Sequence, residues 1–154
     1  METYFPSDAP LFSIQGTHNA RVVSQHDGDT ITCIVQVGSV FYKFPIRLAH
    51  IDTCEMTSKE PILKTKAFLA RDKLFSLVTG NTKIDTIAWR KKDFDEYFQY
   101  NNTIITLECE EMDKYGRVLA NISNFADVLI REKLAYTYEG GKKLTEEEQK
   151  KLLL

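Results

Sequence analysis

Three short segments of the chain place carboxylates and arginines at spacings that could support metal-dependent chemistry on phosphates. They are Asp27-Gly28-Asp29-Thr30, Arg47 followed by Asp52-Thr53-Cys54-Glu55, and Asp113-Lys114-Tyr115-Gly116-Arg117. Hard divalent cations bind carboxylate and carbonyl oxygens in proteins. Arginine presents a planar fork of donors that can meet two phosphate oxygens at once. Together these groups are the minimal equipment for metal-assisted cleavage of a phosphodiester.

Each segment taken alone also has an ordinary structural explanation. Asp27-Gly28-Asp29 has the composition of a solvated turn, in which the glycine would adopt a positive φ at a strand end. The stretch from Asp52 to Glu55 would be a plain loop after an apolar run. Arg117 would be a solvated charge after a tight turn. The functional interpretation therefore depends on the three segments occurring together.

The three segments match, in order and residue type, the pattern of the staphylococcal-nuclease (thermonuclease) family. That pattern is a strand ending in Asp-Gly-Asp-Thr, an arginine on a later strand leading into Asp-Thr-Pro-Glu, and an Asp-Lys-Tyr-Gly-Arg turn. The chain resembles the family from about Ala20 to about Tyr138. Cys54 stands where the family has proline, which frees the backbone of the loop that presents Glu55.

The resemblance implies three sets of site residues. The calcium ligands would be Asp29, Asp52 and the backbone carbonyl of Thr53. The catalytic residues would be Glu55, which positions or deprotonates the attacking water, and the phosphate-binding Arg47 and Arg117. The residues around the bound nucleotide would be Lys114, Tyr115, Tyr136 and Tyr138.

The resemblance also implies an activity, a cofactor and partners. The chain is expected to be a Ca²⁺-dependent endonuclease that hydrolyses DNA and RNA, prefers single strands and leaves 3′-phosphate ends. A monomer without a protein or membrane partner is expected. Two alternatives stay open: a non-catalytic nucleic-acid-binding module built on the same barrel, and a general single-strand binder whose acids are structural. Degenerate copies of the barrel usually lose the acids or arginines, so their joint presence here favours the enzyme.

Length and composition are typical of one domain. A chain of 154 residues with 43% hydrophobic residues can bury a single core. We predict a flexible tail over 1–19 and one domain over 20–154. The net charge of −2 is unevenly distributed, because Lys43–Lys92 holds 11 basic and 5 acidic residues. This segment forms either a surface turned toward phosphates or a solvated helix face carrying Lys64, Lys66, Arg71 and Lys73.

Compartment and cysteine usage follow from the same sequence. The N-terminus lacks the basic stretch and apolar core of a signal peptide, and no segment has the length and hydropathy of a membrane span. An intracellular location is therefore expected. Cys33 and Cys109 alternate with apolar residues, which indicates buried thiols, and an odd total of three cysteines does not make a disulfide framework.

The pattern of apolar residues predicts an α+β fold, a five-stranded OB-fold β-barrel with about three helices. The predicted strands are Arg21–Gln25, Thr30–Val37, Val40–Leu48, Thr103–Cys109 and Val118–Ser123. The predicted helices run from Pro61 to Gly80, over Asp127–Leu134, and onward from Thr145. Strand alternation sets Arg47 on the face opposite Ile46 and Leu48, on the outer, ligand-facing side of the barrel.

A segment over about 81–102 looks like an insertion between the first helix and the next strand. It interleaves cations with five aromatic residues: Trp89, Phe94, Tyr97, Phe98 and Tyr100. These rings either stack on bases, as in single-strand binders, or pack an extra helix onto the barrel. Since the segment holds none of the proposed site residues, we expect it to be dispensable for the chemistry.

Overall fold

The computed structural model describes Ala9 and residues 12–154. The seven strands are β1 Gly16–Gln25, β2 Thr30–Val37, β3 Val40–Leu48, β4 Ile51–Asp52, β5 Thr103–Met112, β6 Val118–Asn121 and β7 Tyr136–Thr137. The four helices are α1 Pro61–Thr79, α2 Lys91–Tyr100, α3 Phe125–Arg131 and α4 Glu146–Leu153. None of the described helices combines the length and apolar character needed to cross a membrane.

Five strands close into a barrel in the order β1-β2-β3-β6-β5. β3 and β6 are parallel, and the other neighbours are antiparallel. The inward residues of these strands form the main core, represented by Val22, Cys33, Ile46, Leu107 and Val118. The predicted α+β class and the five-stranded, OB-fold-like barrel are therefore confirmed, with one helix more than expected.

The predicted bounds of β2 and β3 are confirmed, whereas those of β1 are not. β1 begins at Gly16, because the pairing with β5 extends that far. Gly16 pairs with Cys109, and the residues after it pair with successively earlier residues of β5, down to Val22 with Thr103. The last four residues of the predicted 1–19 tail thus belong to the barrel. The prediction for residues 1–8, 10 and 11 lies outside the described residues.

α1 has the start and the apolar stripe that the sequence predicts. Pro61 occupies its first turn and Gly80 follows its last residue. Leu63, Ala67, Ala70 and Leu74 are buried as expected. Arg71, however, is buried rather than part of a solvated face, because its guanidinium donates to the carbonyls of Thr86, Ile87 and Trp89.

The segment over 81–102 packs on the barrel, so the packing interpretation of its aromatic residues is confirmed for all but Tyr100. Phe94 and Phe98 on α2 are fully buried. The Trp89 and Tyr97 rings meet Phe75 of α1 edge-on, with centroids 5.2 and 4.9 Å from it. Part of the core therefore comes from this segment, so removing it would cost stability, while the expectation that it is dispensable for the chemistry stays a prediction.

The turn between β1 and β2 is docked against α1. The Gln25 side chain donates to the carbonyl of Arg71 at 2.7 Å. A Cβ on Gly28 would lie 2.6 Å from the Cβ of Ala70, a distance too short for two carbon atoms. Gly28 does not have the positive φ expected from the sequence. Glycine is needed there because the turn approaches the helix closely, and this approach fixes the position of Asp29.

Candidate active site

The register of β2 and β3 brings Asp29 beside Arg47. Thr30 pairs with Arg47, and the backbone N–H of Leu48 donates to the carbonyl of Asp29 at 2.9 Å. Nη2 of Arg47 consequently lies 3.5 Å from Oδ2 of Asp29. Both side chains are buried, although the sequence places them in separate segments.

Arg47 lies opposite Ile46 and Leu48, but it is not exposed on an outer surface. Its Nη1 donates to the carbonyls of Leu48, at 3.1 Å, and Ile51, at 2.8 Å. Its Nη2 donates to Oδ1 of Asp52 at 3.0 Å. Arg47 thus lies on the face of β3 that the alternation predicts, away from the core, but it is covered there, with only 7% of its surface exposed. The guanidinium is held by the chain that follows its own strand, because that chain folds back as β4.

Asp52 is held by a small sheet that the sequence does not predict. β4 pairs with β7, which sets Asp52 opposite Tyr136. The Tyr136 hydroxyl donates to Oδ2 of Asp52 at 2.7 Å, and its ring is buried. Burial, together with the bond to Asp52, raises the pKa of Tyr136, so the hydroxyl stays a donor. In this structure Tyr136 therefore orients Asp52, and it has no exposed face for a nucleotide.

Negative charge is in excess around Asp29. Burial and the neighbouring charge of Asp27 raise the pKa of Asp29 to about 6, and Arg47 offsets only part of this effect. The Thr30 and Thr53 hydroxyls donate to the two carboxylate oxygens at 3.0 and 3.1 Å. Asp29 is thus well oriented but under-compensated, as expected of a group that binds a cation.

Lys143 belongs to the site although the sequence reasoning does not select it. Its Nζ lies 2.9 Å from Oε1 of Glu55 and 3.5 Å from Oδ1 of Asp52. Burial works against the charge of Lys143, but the bond to Glu55 and the nearby carboxylates raise its pKa overall. The only sequence signal is its place after Gly140-Gly141, close behind Tyr138.

The turn that carries Arg117 is organised by Asp113. Oδ1 of Asp113 accepts the backbone N–H groups of Tyr115 and Arg117, each at 2.9 Å. Nε of Arg117 donates to Oδ2 of Asp113 at 2.6 Å. Burial would raise the pKa of Asp113, but these hydrogen bonds from Arg117 and Tyr115 lower it overall. Asp113 therefore fixes the direction in which Arg117 leaves the turn.

A cleft of about 590 Å³ brings together the two arginines and most of the predicted nucleotide contacts. Of the predicted residues, those that line it are Arg47, Lys114, Tyr115, Arg117 and Tyr138. The Tyr138 ring lies 5.7 Å from the guanidinium carbon of Arg47. Asp29, Asp52, Thr53, Glu55 and Tyr136 are not among the lining residues. Arg47 connects the two groups, because it lines the cleft and contacts both Asp29 and Asp52.

The cleft is not uniformly positive. Its cations, Arg47, Lys114, Arg117 and Lys143, are matched by the acids Glu110, Glu111, Asp113 and Glu139. Of the 11 lysines and arginines in the basic segment Lys43–Lys92, Arg47 is the one that lines this cleft. A surface of that segment turned toward phosphates is therefore not supported by this cleft.

His50 pairs with two of the cleft acids. Its ring nitrogens lie 2.7 Å from Glu139 and 2.7 Å from the nearer oxygen of Glu110. The hydrogen bonds to Glu139 and Glu110 raise the pKa of His50. Its backbone has a φ of 67°, in the left-handed region, at the turn between β3 and β4. His50 ties β5 to the chain after β7, and when it is protonated it offsets part of the negative charge of the lining.

The side chains around Asp29 offer oxygen atoms, the type of donor that hard cations bind, but the set is small. Asp29 and Asp52 both approach the same nitrogen of Arg47, so their carboxylates converge on one region. The side chain of Thr53 also reaches Asp29. Within the described residues, no group of three or more His, Cys, Asp and Glu side chains is arranged to hold a metal. Further ligands would have to be carbonyl oxygen and water.

Cys54, which follows the two proposed ligands Asp52 and Thr53, is part of the packing beneath the site. It is buried in a small cluster with Leu63, Ala67, Tyr136 and Leu153. Burial raises the pKa of its thiol to about 11, which keeps it protonated and apolar in character. All three cysteines are free and buried, which confirms the prediction for Cys33 and Cys109 and adds Cys54.

Comparisons of the chain with protein-family models and with curated proteins find no match.

Proposed function

We propose that the protein is a Ca²⁺-dependent nuclease that hydrolyses phosphodiester bonds of DNA and RNA and leaves 3′-phosphate ends. The observation that carries the proposal is the position of Arg47. It contacts the two candidate ligands Asp29 and Asp52 on one side and lines the cleft of Arg117 on the other. A phosphate held in the cleft would thus lie next to the acidic groups.

In the proposed reaction, side chains of the protein bind the phosphate, activate the water and hold the nucleotide. Arg47 and Arg117 bind the phosphate oxygens and stabilise the charge that grows on them as water attacks phosphorus. Glu55 accepts a proton from that water as the P–O bond to the 5′-oxygen breaks, and the leaving 5′-oxygen takes a proton from solvent water, which gives a 3′-phosphate and a 5′-hydroxyl. Calcium, when bound to Asp29, Asp52 and the Thr53 carbonyl, supplies positive charge beside the reacting phosphate. Tyr115 and Tyr138, which line the cleft, contact the nucleotide.

Incubation of the protein with single-stranded DNA in calcium, in magnesium and in chelator tests the proposal. Cleavage to 3′-phosphate products is expected in calcium. Magnesium is expected to serve poorly, because it demands tighter octahedral geometry and holds its waters. Asp29→Ala and Asp52→Ala should each abolish cleavage. Activity at the wild-type level in either folded variant at saturating calcium would show that the metal is placed wrongly.

A second candidate, a non-catalytic OB-fold module that binds nucleic acid, is favoured by one observation. The acids of the site already have cationic partners, Asp52 with Arg47 and Glu55 with Lys143. In a barrel that binds nucleic acid without cleaving it, such ion pairs would have only a structural role. The same assay separates the two candidates, since a binding module retards the DNA in every buffer and shortens it in none.

A further inference from the structure

The two carboxylates proposed to bind calcium have a protein partner at every oxygen. Oδ1 of Asp52 faces Arg47 and Lys143, and Oδ2 accepts the Tyr136 hydroxyl. The oxygens of Asp29 accept Thr30 and Thr53, with Arg47 close by. A cation can therefore enter only where one of the existing partners withdraws or shares its acceptor.

Among the charged partners, Lys143 is the one that can leave at least cost. Arg47 is buried and also satisfies two backbone carbonyls, so its departure would orphan them. The Tyr136 hydroxyl is a buried donor, and its ring packs against Cys54 and Leu63. The Lys143 side chain is 50% exposed, and its ammonium can return to water.

The backbone that carries Lys143 is also suited to movement. Gly140 and Gly141 precede it with φ values of 96° and 79°, a region that other residues rarely adopt. A Cβ at either glycine would meet no neighbouring atom within 4 Å. The Tyr138 hydroxyl donates to the Gly141 carbonyl, so this segment is tied at one point, but no atom packs against the side-chain positions of its two glycines.

We propose that Lys143 is a displaceable counter-ion of the site, which occupies Asp52 and Glu55 until calcium binds and whose release frees Glu55 to accept a proton from water. This inference rests on the proposed calcium-dependent function and adds a coupling to it. One movement of Lys143 removes one of the two cations that face Oδ1 of Asp52 and breaks the contact with Glu55. Metal binding and activation of the base are thereby linked.

Calcium affinity is the quantity that the counter-ion changes, and it can be measured without activity. By calorimetry in the absence of nucleic acid, Lys143→Gln should bind calcium roughly tenfold more tightly than wild type, a typical size for coupling between two ligands of one site. Lys143→Arg keeps the charge and should retain the wild-type affinity. Lys142→Gln, a neutralisation one residue away, is the matched control and should also leave it unchanged. The gain should shrink as salt is raised.

The outcomes separate this inference from the proposed function. Equal, measurable affinities of wild type and Lys143→Gln would overturn the counter-ion and leave the calcium-dependent nuclease standing. A weaker affinity in Lys143→Gln would also overturn it, because Lys143 would then support the metal site. An absence of calcium binding in wild type and in every variant would overturn both. Circular dichroism and thermal melts of each variant verify that it is folded.

Discussion

At the scale of single residues, the site is organised around one buried arginine. Arg47 binds two backbone carbonyls and Asp52 and lies near Asp29, so three of its five N–H donors are already bonded before any substrate arrives. Arg117, in contrast, is partly exposed; it pairs with Asp113 and lies 5.7 Å from the Tyr115 ring. The two arginines are expected to serve the same phosphate, yet they differ in what they do for the fold.

Replacing each arginine by lysine should reveal this difference. Lysine keeps the charge but loses the fork, so each variant should lose on the order of 10²-fold or more in kcat. Arg47→Lys should also lower the free energy of unfolding by roughly 1–3 kcal/mol, since buried carbonyls lose a donor. Arg117→Lys should change it by less than about 1 kcal/mol. Steady-state kinetics and urea unfolding measure both effects. A loss confined to KM would mean that the arginines bind only ground-state phosphate.

Asp29 should make the metal-free protein less stable as pH rises. Its pKa in the folded state is about 6, above its ordinary value of 3.8, so the folded state holds the proton more tightly than the unfolded chain. Stability from this group is therefore fully present below about pH 4 and lost by about pH 6. The loss is at most on the order of 3 kcal/mol.

Asp29→Asn removes this titration while keeping the shape of the side chain. In chelator, the variant should lack the decline between pH 4 and pH 6 and should melt at or above the wild-type temperature at pH 7. Calcium should raise the melting temperature of wild type more than that of the variant. Thermal melts over this pH range make the comparison. A clear drop in the variant's melting temperature at pH 7 in chelator would identify Asp29 as a structural turn residue.

At the scale of elements, α1 sets the position of the first acidic segment. The β1–β2 turn lies so close to the helix that a side chain at Gly28 would collide with Ala70. Two contacts therefore place Asp29 beside Arg47: the β1–β2 turn packs on α1, and β2 pairs with β3. Neither contact involves a group that does chemistry.

Gly28→Ala should destabilise the protein by about 1–3 kcal/mol, as overpacking does in a tight core. It should also reduce cleavage, because the turn must shift and take Asp29 with it. Ala70→Gly removes the nearest colliding atom, so the double variant should recover part of both losses, a coupling visible in a double-mutant cycle. Additive effects of the two substitutions would mean that the collision does not decide the position of the turn.

The segment over 81–102 shows the other role of an element, which is to complete the core. Phe94→Ala should cost about 3–5 kcal/mol, a usual value for a buried phenylalanine. Tyr100→Ala on the same helix should cost less than about 0.5 kcal/mol, because this ring is exposed. Urea unfolding of the pair tests the assignment. A similar cost at both positions would show that the helix as a whole, and not its buried face, provides the stability.

At the scale of the whole molecule, charge is more evenly spread than the sequence segments indicate. The cleft presents four cations, Arg47, Lys114, Arg117 and Lys143, and an equal number of acids. Lys64 on α1 is exposed, and Lys73 pairs with Glu132 at 3.1 Å. Phosphate binding through the cleft therefore involves few charges.

The salt dependence of the affinity for single-stranded DNA estimates how many of these cations contact phosphates. Each phosphate contact to a single strand contributes about −0.7 to the slope of log K against log salt. Four cations in the cleft give a slope no steeper than about −3. Titrations in chelator, from low to moderate salt, measure the slope. A distinctly steeper slope, reduced by neutralising Lys64 and Lys66, would instead assign binding to the surface of α1.

The sequence by itself determined the strands β2 and β3, the start and end of α1, the barrel class and the buried cysteines. These features depend on local alternation, helical spacing and turn residues, which are all legible over a few positions. The motifs also selected four site residues that line the cleft, Arg47, Lys114, Tyr115 and Arg117, and the resemblance added Tyr138. The functional roles given to them are expectations from resemblance and stay predictions.

Only the tertiary structure decided how these groups meet. The burial of Arg47, the bond from Tyr136 to Asp52 and the pairing of Lys143 with Glu55 depend on chain folding back through β4 and β7, each two residues long. Strands of two residues are too short to show a periodic pattern of apolar residues in the sequence. Lys143 and Glu55 are 88 positions apart in sequence. Contacts of this kind form only when the complete barrel packs. No local sequence pattern therefore predicts which distant side chain will pair with a given carboxylate.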